Sequence, residues 1–176
     1  AQMRAASRES WQPLQVQAAV AEGTTLKTGP DSTLEVSFED GTSFLMRENA
    51  QVTVKQARKG PFHLVRVVYL KSGKVISRVK AATGRKSRFE IETPSAVAAA
   101  RGTSYRVAVD EQETTRAEML ANTVVLSAAG AAVTLQAGEG SLVKANQPPL
   151  APVELLPPPQ HTGTEIVDGG RQVLLR

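Results

Sequence analysis

Thr93-Pro94-Ser95-Ala96-Val97-Ala98-Ala99-Ala100-Arg101-Gly102-Thr103-Ser104-Tyr105-Arg106-Val107 is the stretch whose reading decides the fold. Arg101 is its only charge before Gly102. Taken alone it is ambiguous. Thr93-Pro94 fits an N-cap followed by a first helical residue, and Gly102 fits a helix stop. Such a helix would have only about two turns, a length that is marginal in isolation. Its flanks alternate in the manner of strands. Before it, Phe89 and Ile91 point one way and Arg88, Glu90 and Glu92 the other; after it, Tyr105, Val107 and Val109 alternate with Arg106, Ala108 and Asp110. The stretch is therefore read as a buried strand or bend, with the hairpins on either side packed around it. Thr93, Pro94, Arg101, Gly102 and Thr103 form its structural motif. Gly102 is expected to meet a backbone requirement. Arg101 is expected to lock the bend, with Glu90 and Glu92 as partners if it is buried.

Working outward, the same grammar recurs. Leu34, Val36 and Phe38 alternate with Glu35, Ser37 and Glu39, and Asp40-Gly41 predicts a two-residue type I′ turn. Thr42 to Met46 returns, with Phe44 and Met46 inward, and Val52 and Val54 mark another strand. His63 to Leu70 predicts a strand that ends in a second tight hairpin turn at Ser72-Gly73, with Val75 to Lys80 as the return. Downstream, Arg116–Leu120, Val124–Ser127, Ala132–Gln136 and Ser141–Lys144 are further short strands. Turn signals recur every eight to twelve residues. The fold class that follows is all-β, an irregular antiparallel sandwich or a solenoid-like stack of short strands. Its expected core is Leu34, Val36, Phe38, Phe44, Val67, Phe89, Ile91, Val97, Tyr105, Val107, Val124 and Leu135.

The ends read differently. Residues 1–15 are a polar segment; Trp11, with Leu14 and with Val16 just beyond the boundary, is able to begin an edge strand. Residues 16–147 are the β domain. Residues 148–159 are a proline-rich, extended linker. Residues 160–176 end in Val173-Leu174-Leu175 and are read as a tail that pairs with a sheet edge or as the start of a following module.

Composition bounds the chemistry. The 176 residues are 41% hydrophobic but only 4% aromatic, so the core is built from Val, Leu, Ala and Ile. There is no run of about 18 apolar residues, hence no transmembrane helix in the sequence. The first residues lack the apolar centre of a signal peptide, and the chain starts at Ala, which is expected of a mature form or a part of a longer protein. The absence of cysteine excludes disulfides, thiolate catalysis and Cys-based zinc sites.

The net charge is +4, and its distribution is uneven: Lys55 to Arg88 holds eleven Lys or Arg residues and no acid. Lys55, Arg58, Lys59, Arg78, Lys80, Arg85 and Lys86 are the candidate interaction face, able to bind an anionic glycan or lipid surface. The competing reading makes Arg66, Lys71, Arg78 and Lys80 the solvated side of amphipathic strands, where charge blunts sheet edges. No nucleic-acid partner is expected.

No catalytic, cofactor or metal residues are assigned. His63 and His161 are the only histidines and have no signature around them. Gly84-Arg85-Lys86-Ser87 lacks the spacing of a phosphate-binding loop, and no helix follows Gly138-Glu139-Gly140. Glu39-Asp40 and Asp110-Glu111 sit in turns, and neighbouring strand residues face opposite ways, so no carboxylate pair converges as cell-wall hydrolysis needs. Trp11 and Tyr69 are single aromatics, a poor floor for a sugar-binding groove.

These pieces resemble, in order and spacing, the FecR-like domain of bacterial cell-envelope proteins. The matching residues are Leu26, Thr28-Gly29, Asp31-Ser32, Val36, Phe38, Asp40-Gly41-Thr42, Gly73-Lys74-Val75, Phe89-Glu90-Ile91, Thr93-Pro94-Ser95-Ala96, Arg101-Gly102-Thr103, Tyr105, Val107 and Gly138-Glu139-Gly140. The resemblance spans roughly residues 16–144. Pro152 to Pro157 also looks like the linker that follows this domain in exported proteins with an upstream peptidoglycan-binding LysM module; no LysM pattern is present here. Better-known members are inner-membrane regulators that pass an iron-siderophore signal to a sigma factor, using a transmembrane helix and a cytosolic segment that this sequence does not contain. The resemblance implies a periplasmic or otherwise exported, non-enzymatic domain that recognises a protein partner or receives a signal. A glycan- or peptidoglycan-associated or polyanion-binding module is the alternative. Ligand identity and oligomeric state are left open.

Overall fold

The fold is that of a computed structural model, which describes residues 1–6, 10–55, 57–59, 63–81 and 86–155, and the short strands at 167–168 and 171–172. Among these residues there is no helix. The chain opens with β1 (Gln2–Arg4), β2 (Gln12–Pro13) and β3 (Thr25–Lys27). Then follow β4 (Leu34–Ser37), β5 (Ser43–Met46), β6 (Gln51–Val54) and β7 (Arg58–Lys59). The sixteen-residue β8 (His63–Arg78) is the longest strand, and β9 (Lys86–Glu92) and β10 (Val97–Ala100) follow it. The rest comprises β11 (Ser104–Val109), β12 (Thr115–Ala121), β13 (Thr123–Ala128), β14 (Ala131–Gln136), β15 (Glu139–Val143) and β16 (Val153–Glu154).

These strands form one sheet that folds on itself at β8. The first half of β8 lies between β6 and β9, in a layer that continues through β3 and β1 on one side and through β10, β13 and β14 on the other. Its second half lies between β5 and β11, in a layer that continues to β4 and to β12, β15 and β16. The all-β sandwich reading holds, with one exception to antiparallel order: β9 runs parallel to His63–Tyr69. Parallel neighbours need a crossover connection. The second half of β8 supplies it by leaving for the other layer before the chain returns.

The Ser72-Gly73 hairpin is therefore corrected. Both halves of that expected hairpin belong to a single strand, and Gly73 is where it changes layers. Gln51 pairs with Ser72 on one side of the change and Met46 with Val75 on the other. Gly73 has φ +88°, and a Cβ there would lie 2.5 Å from Ala50 Cα. The positive φ suits glycine, but the bend it makes is a layer change and not a reversal.

The Asp40-Gly41 hairpin exists, but its loop has three residues. Phe38 N donates to Thr42 O at 2.8 Å, and only Gly41 in the loop has positive φ. A two-residue turn of the expected type does occur at Ala129-Gly130, where φ is +47° and +77° between Ala128 and Ala131.

The core lies between the layers. Phe44, Val67, Phe89, Ile91, Tyr105, Val107, Val124 and Leu135 are buried as expected, and Leu34, Val36 and Phe38 are partly buried against the core. Val97 is corrected: Ala98 and Ala100 face inward, while Val97 is only half-buried. Phe38, Phe44 and Phe89 stack around one point with ring centroids 5.9–6.1 Å apart. They come from both layers, so the few aromatics are spent on holding the layers together.

Candidate functional site

The Thr93–Thr103 motif forms a bend and then a central strand, β10, paired with β9 and β13. Thr93 N donates to Ala96 O at 2.8 Å, and Ala96 N donates to Thr93 Oγ1 at 2.9 Å, which closes a side-chain-capped turn around Pro94. The Thr93 hydroxyl lies 2.7 Å from that of Thr115 on the opposite layer, and the Thr115 hydroxyl lies 2.6 Å from that of Ser95. Ser95 also donates to Glu113 O at 2.8 Å. Three hydroxyls thus tie the entry of β10 to the start of β12. Thr115→Val keeps the shape and removes the central hydroxyl. It is expected to cost about 1–3 kcal/mol, since buried hydroxyls lose a partner. The check is a lowered urea midpoint at unchanged slope.

At the far end of the motif, Gly102 has φ +62°, and a Cβ there would lie 2.8 Å from Ala81 Cβ. The expected close approach is present. Thr103 is buried; its hydroxyl donates to Ala121 O, and its carbonyl accepts from Val79 N at 2.7 Å. Arg101 is corrected. It is exposed, so the burial that would have called for Glu90 or Glu92 as a partner is not met. Glu90 pairs instead with Arg88, and Glu92 with Lys55. Gly102 and Asn122, whose amide donates to Gly102 O at 2.8 Å, hold this bend.

The basic window is partly neutralised within the fold. Lys55 pairs with Glu92 and lies over the Tyr69 ring. Arg66 Nε lies 3.0 Å from Asp40 Oδ2, and its guanidinium sits over Phe38. Burial pushes the Asp40 carboxyl up, but hydrogen bonds from the Thr42 amide and Arg66, with the guanidinium charge, outweigh it and hold the group below its ordinary value. Arg78 and Lys80 are exposed beside a shallow cavity of about 330 Å³ that also touches Gly41 and Gly102. Arg58 and Lys59 lie in β7 and Lys86 begins β9, whereas Arg85, His161 and most of the 160–176 tail fall outside the described residues. Of the seven basic candidates, the structure places Arg78 and Lys80 together. Among the described residues there is no cluster of three or more acidic or histidine side chains able to hold a metal ion, and no helix long and apolar enough to cross a membrane.

The sheet edges are features the sequence reading did not locate. Among the described strands β14 pairs only with β13. The run Met119–Gly138, which includes both strands, contains no charged residue. Ala128 and Ala131 flank the two-residue turn, so Val133 and Leu135 bond to β13 while the amides and carbonyls of Ala132 and Thr134 face outward; the Gln136 amide, at the end of the strand, donates to Glu139 Oε2 at 2.7 Å. Edge strands are commonly guarded by charge, proline or a bulge; β14 has an unbroken register and neither charge nor proline. The uncharged run was the available signal, but alternation alone does not tell an edge from a centre. A second free edge, β4, borders a cleft.

The family described as FecR protein matches residues 24–125. No curated protein matches the chain. Two crystal structures of a candidate anti-sigma factor from Parabacteroides distasonis ATCC 8503, at 1.65 and 2.50 Å resolution, share the fold with a TM-score of 0.62 and 16% identity. Each alignment covers 74% of this chain and 59% of that one. At that identity the likeness concerns the fold. The family match takes in Thr28-Gly29, the Asp40-Gly41 loop, the layer change at Gly73 and the Thr93–Thr103 motif, more than half of the sequence, and the chain belongs to the FecR family.

Proposed function

We propose that this domain is a non-enzymatic receiver in the bacterial cell envelope, located in the periplasm or otherwise exported, which binds a protein partner by strand addition. The observation that carries this reading is the open edge of β14: outward backbone groups at Ala132 and Thr134 within a run that has no charge to repel an incoming strand. Strand addition draws affinity from backbone hydrogen bonds and specificity from alternate side chains. Family membership, and a fold shared with a candidate anti-sigma factor, support a signalling role.

The test is capture from envelope extract with the folded domain as bait, at low and high salt. Thr134→Pro removes one outward amide without touching a bond to β13. A protein retained at high salt by the wild type and lost by Thr134→Pro is the expected outcome. Equal retention by both refutes the edge. Capture only of an anionic glycan or lipid, lost with salt and with reversal of Arg78 and Lys80, would assign the function to the basic face instead.

A further inference from the structure

The free edge at β4 is built differently. β4 borders a cleft of about 650 Å³ that separates it from the loop at residues 14–20. Leu14, Val20, Leu34, Val36 and Phe38 line it, all only partly buried: each packs against the core on one side and is open to the cleft on the other. A second cavity of about 390 Å³ shares Val20, Phe38 and Val54 with the first and extends it toward Arg66.

The backbone along this cleft is also unused. Among the described strands β4 pairs only with β5. The Phe38–Thr42 bond at 2.8 Å makes Phe38, Val36 and Leu34 the residues bonded to β5. By alternation the amides and carbonyls of Glu35 and Ser37 face outward. The loop opposite does not cover them: its own turn closes with Ala18 N donating to Gln15 O at 3.3 Å, and Val16 stands at 95% exposure on its tip. One wall therefore offers backbone donors and acceptors, and the space beside it is apolar.

Charge selects the occupant. Glu35, Glu22 and Glu39 line the two cavities, and Glu35 and Glu39 are exposed. The two basic lining residues are already held, Lys55 by Glu92 and Arg66 by Asp40. The field along the cleft is thus acidic within a chain of net charge +4.

We propose that this cleft is a second binding site, which takes an extended basic segment of a partner protein. That segment adds as a strand beside β4, places alternate apolar side chains between the layers, and sets Lys or Arg against Glu35 and Glu39. The site is separate from β14 and does not rest on the reading of that edge.

The experiment is selection of a random peptide library against the folded chain, followed by affinity measurement of the enriched peptides. The expected peptides alternate apolar residues and carry Lys or Arg. Ser37→Pro deletes an outward amide and is expected to weaken them about tenfold, the scale of one well-made bond. Glu35→Lys, at an exposed position that leaves folding intact, is expected to weaken them severalfold, and more at low salt. Thr134→Pro is expected to leave them unchanged. The proposal is overturned by failure to enrich any peptide, by enrichment of acidic peptides, or by affinities that neither Ser37→Pro nor Glu35→Lys moves. Loss in Thr134→Pro with retention in Ser37→Pro would place the peptides on β14 and overturn it equally.

Discussion

Gly73→Ala is expected to lower the unfolding free energy by about 2–5 kcal/mol, the sum of a left-handed backbone penalty and an overpacking penalty. Both arise at one atom. Gly73 has φ +88°, which an L side chain rarely adopts, and its Cβ would stand 2.5 Å from Ala50 Cα and 2.7 Å from Ala50 Cβ. Ala50 cannot yield easily, since it is fully buried between β5 and β6 and its amide donates to Thr28 Oγ1 at 2.9 Å. The site matters because β8 belongs to both layers: a shift at Gly73 moves the pairing with β5, β6 and β11 together. Gly130→Ala is the control. Its φ is +77°, but nothing lies within 4 Å of the added atom, so only the backbone penalty of about 1–2 kcal/mol applies. Urea unfolding of the two variants measures the difference. Equal losses would mean that Ala50 gives way and that the layer change is not rigid.

The same residue shows where local reading stops. Ser72-Gly73 between two apolar runs satisfies every local criterion for a hairpin, and a positive φ is required in either case. What decides is which strands lie alongside. β5 and β6 pair with successive parts of β8 and hold it extended across the bend, and those partners are set by the whole chain. Alternating strands with clear polar faces were legible: Phe89 and Ile91 against Arg88 and Glu90, or Tyr105 and Val107 against Arg106. Val97-Ala98-Ala99-Ala100 was legible as a buried strand but not in phase, because four small apolar residues offer no polar face to fix parity. Whether Arg101 was buried could not be read from its apolar neighbours, and in the fold it is exposed.

The candidate sites were less legible than the fold for a related reason. Charge can be counted in a sequence, so the basic window was visible. Its neutralisation was not, since Lys55–Glu92 and Arg66–Asp40 join residues far apart in the chain. Edge status is equally hidden. β4 and β14 read as ordinary amphipathic strands, and only strand order reveals that each lacks a second neighbour. The cleft joins Leu14 and Val20 to Leu34 and Phe38, and no local pattern in either segment marks the space between them.

Tyr105 joins the two layers through a polar atom, and its variants are expected to separate packing from hydrogen bonding. The side chain is fully buried, and its hydroxyl donates to Phe89 O at 3.2 Å, with Ala98 O at 3.5 Å. Tyr105→Ala is expected to cost about 3–5 kcal/mol, as for other buried aromatics cut to alanine. Tyr105→Phe retains the ring and is expected to cost about 1 kcal/mol, the net worth of one hydrogen bond. The hydroxyl also carries a pH signature. Burial, and secondarily the negative charge of Glu90, raise its pKa well above the ordinary value of 10. The unfolded chain then releases this proton at a lower pH than the folded one. Stability from Tyr105 is fully present below pH 10 and falls as pH rises from there toward the folded pKa. Tyr105→Phe has no proton to release, so its unfolding free energy should decline less than that of the wild type across the same alkaline range. Chemical denaturation of both proteins at a series of alkaline pH values measures this. An equally steep decline in both would mean that the phenol ionises as readily in the fold as outside it, and that the layers are not sealed around Tyr105.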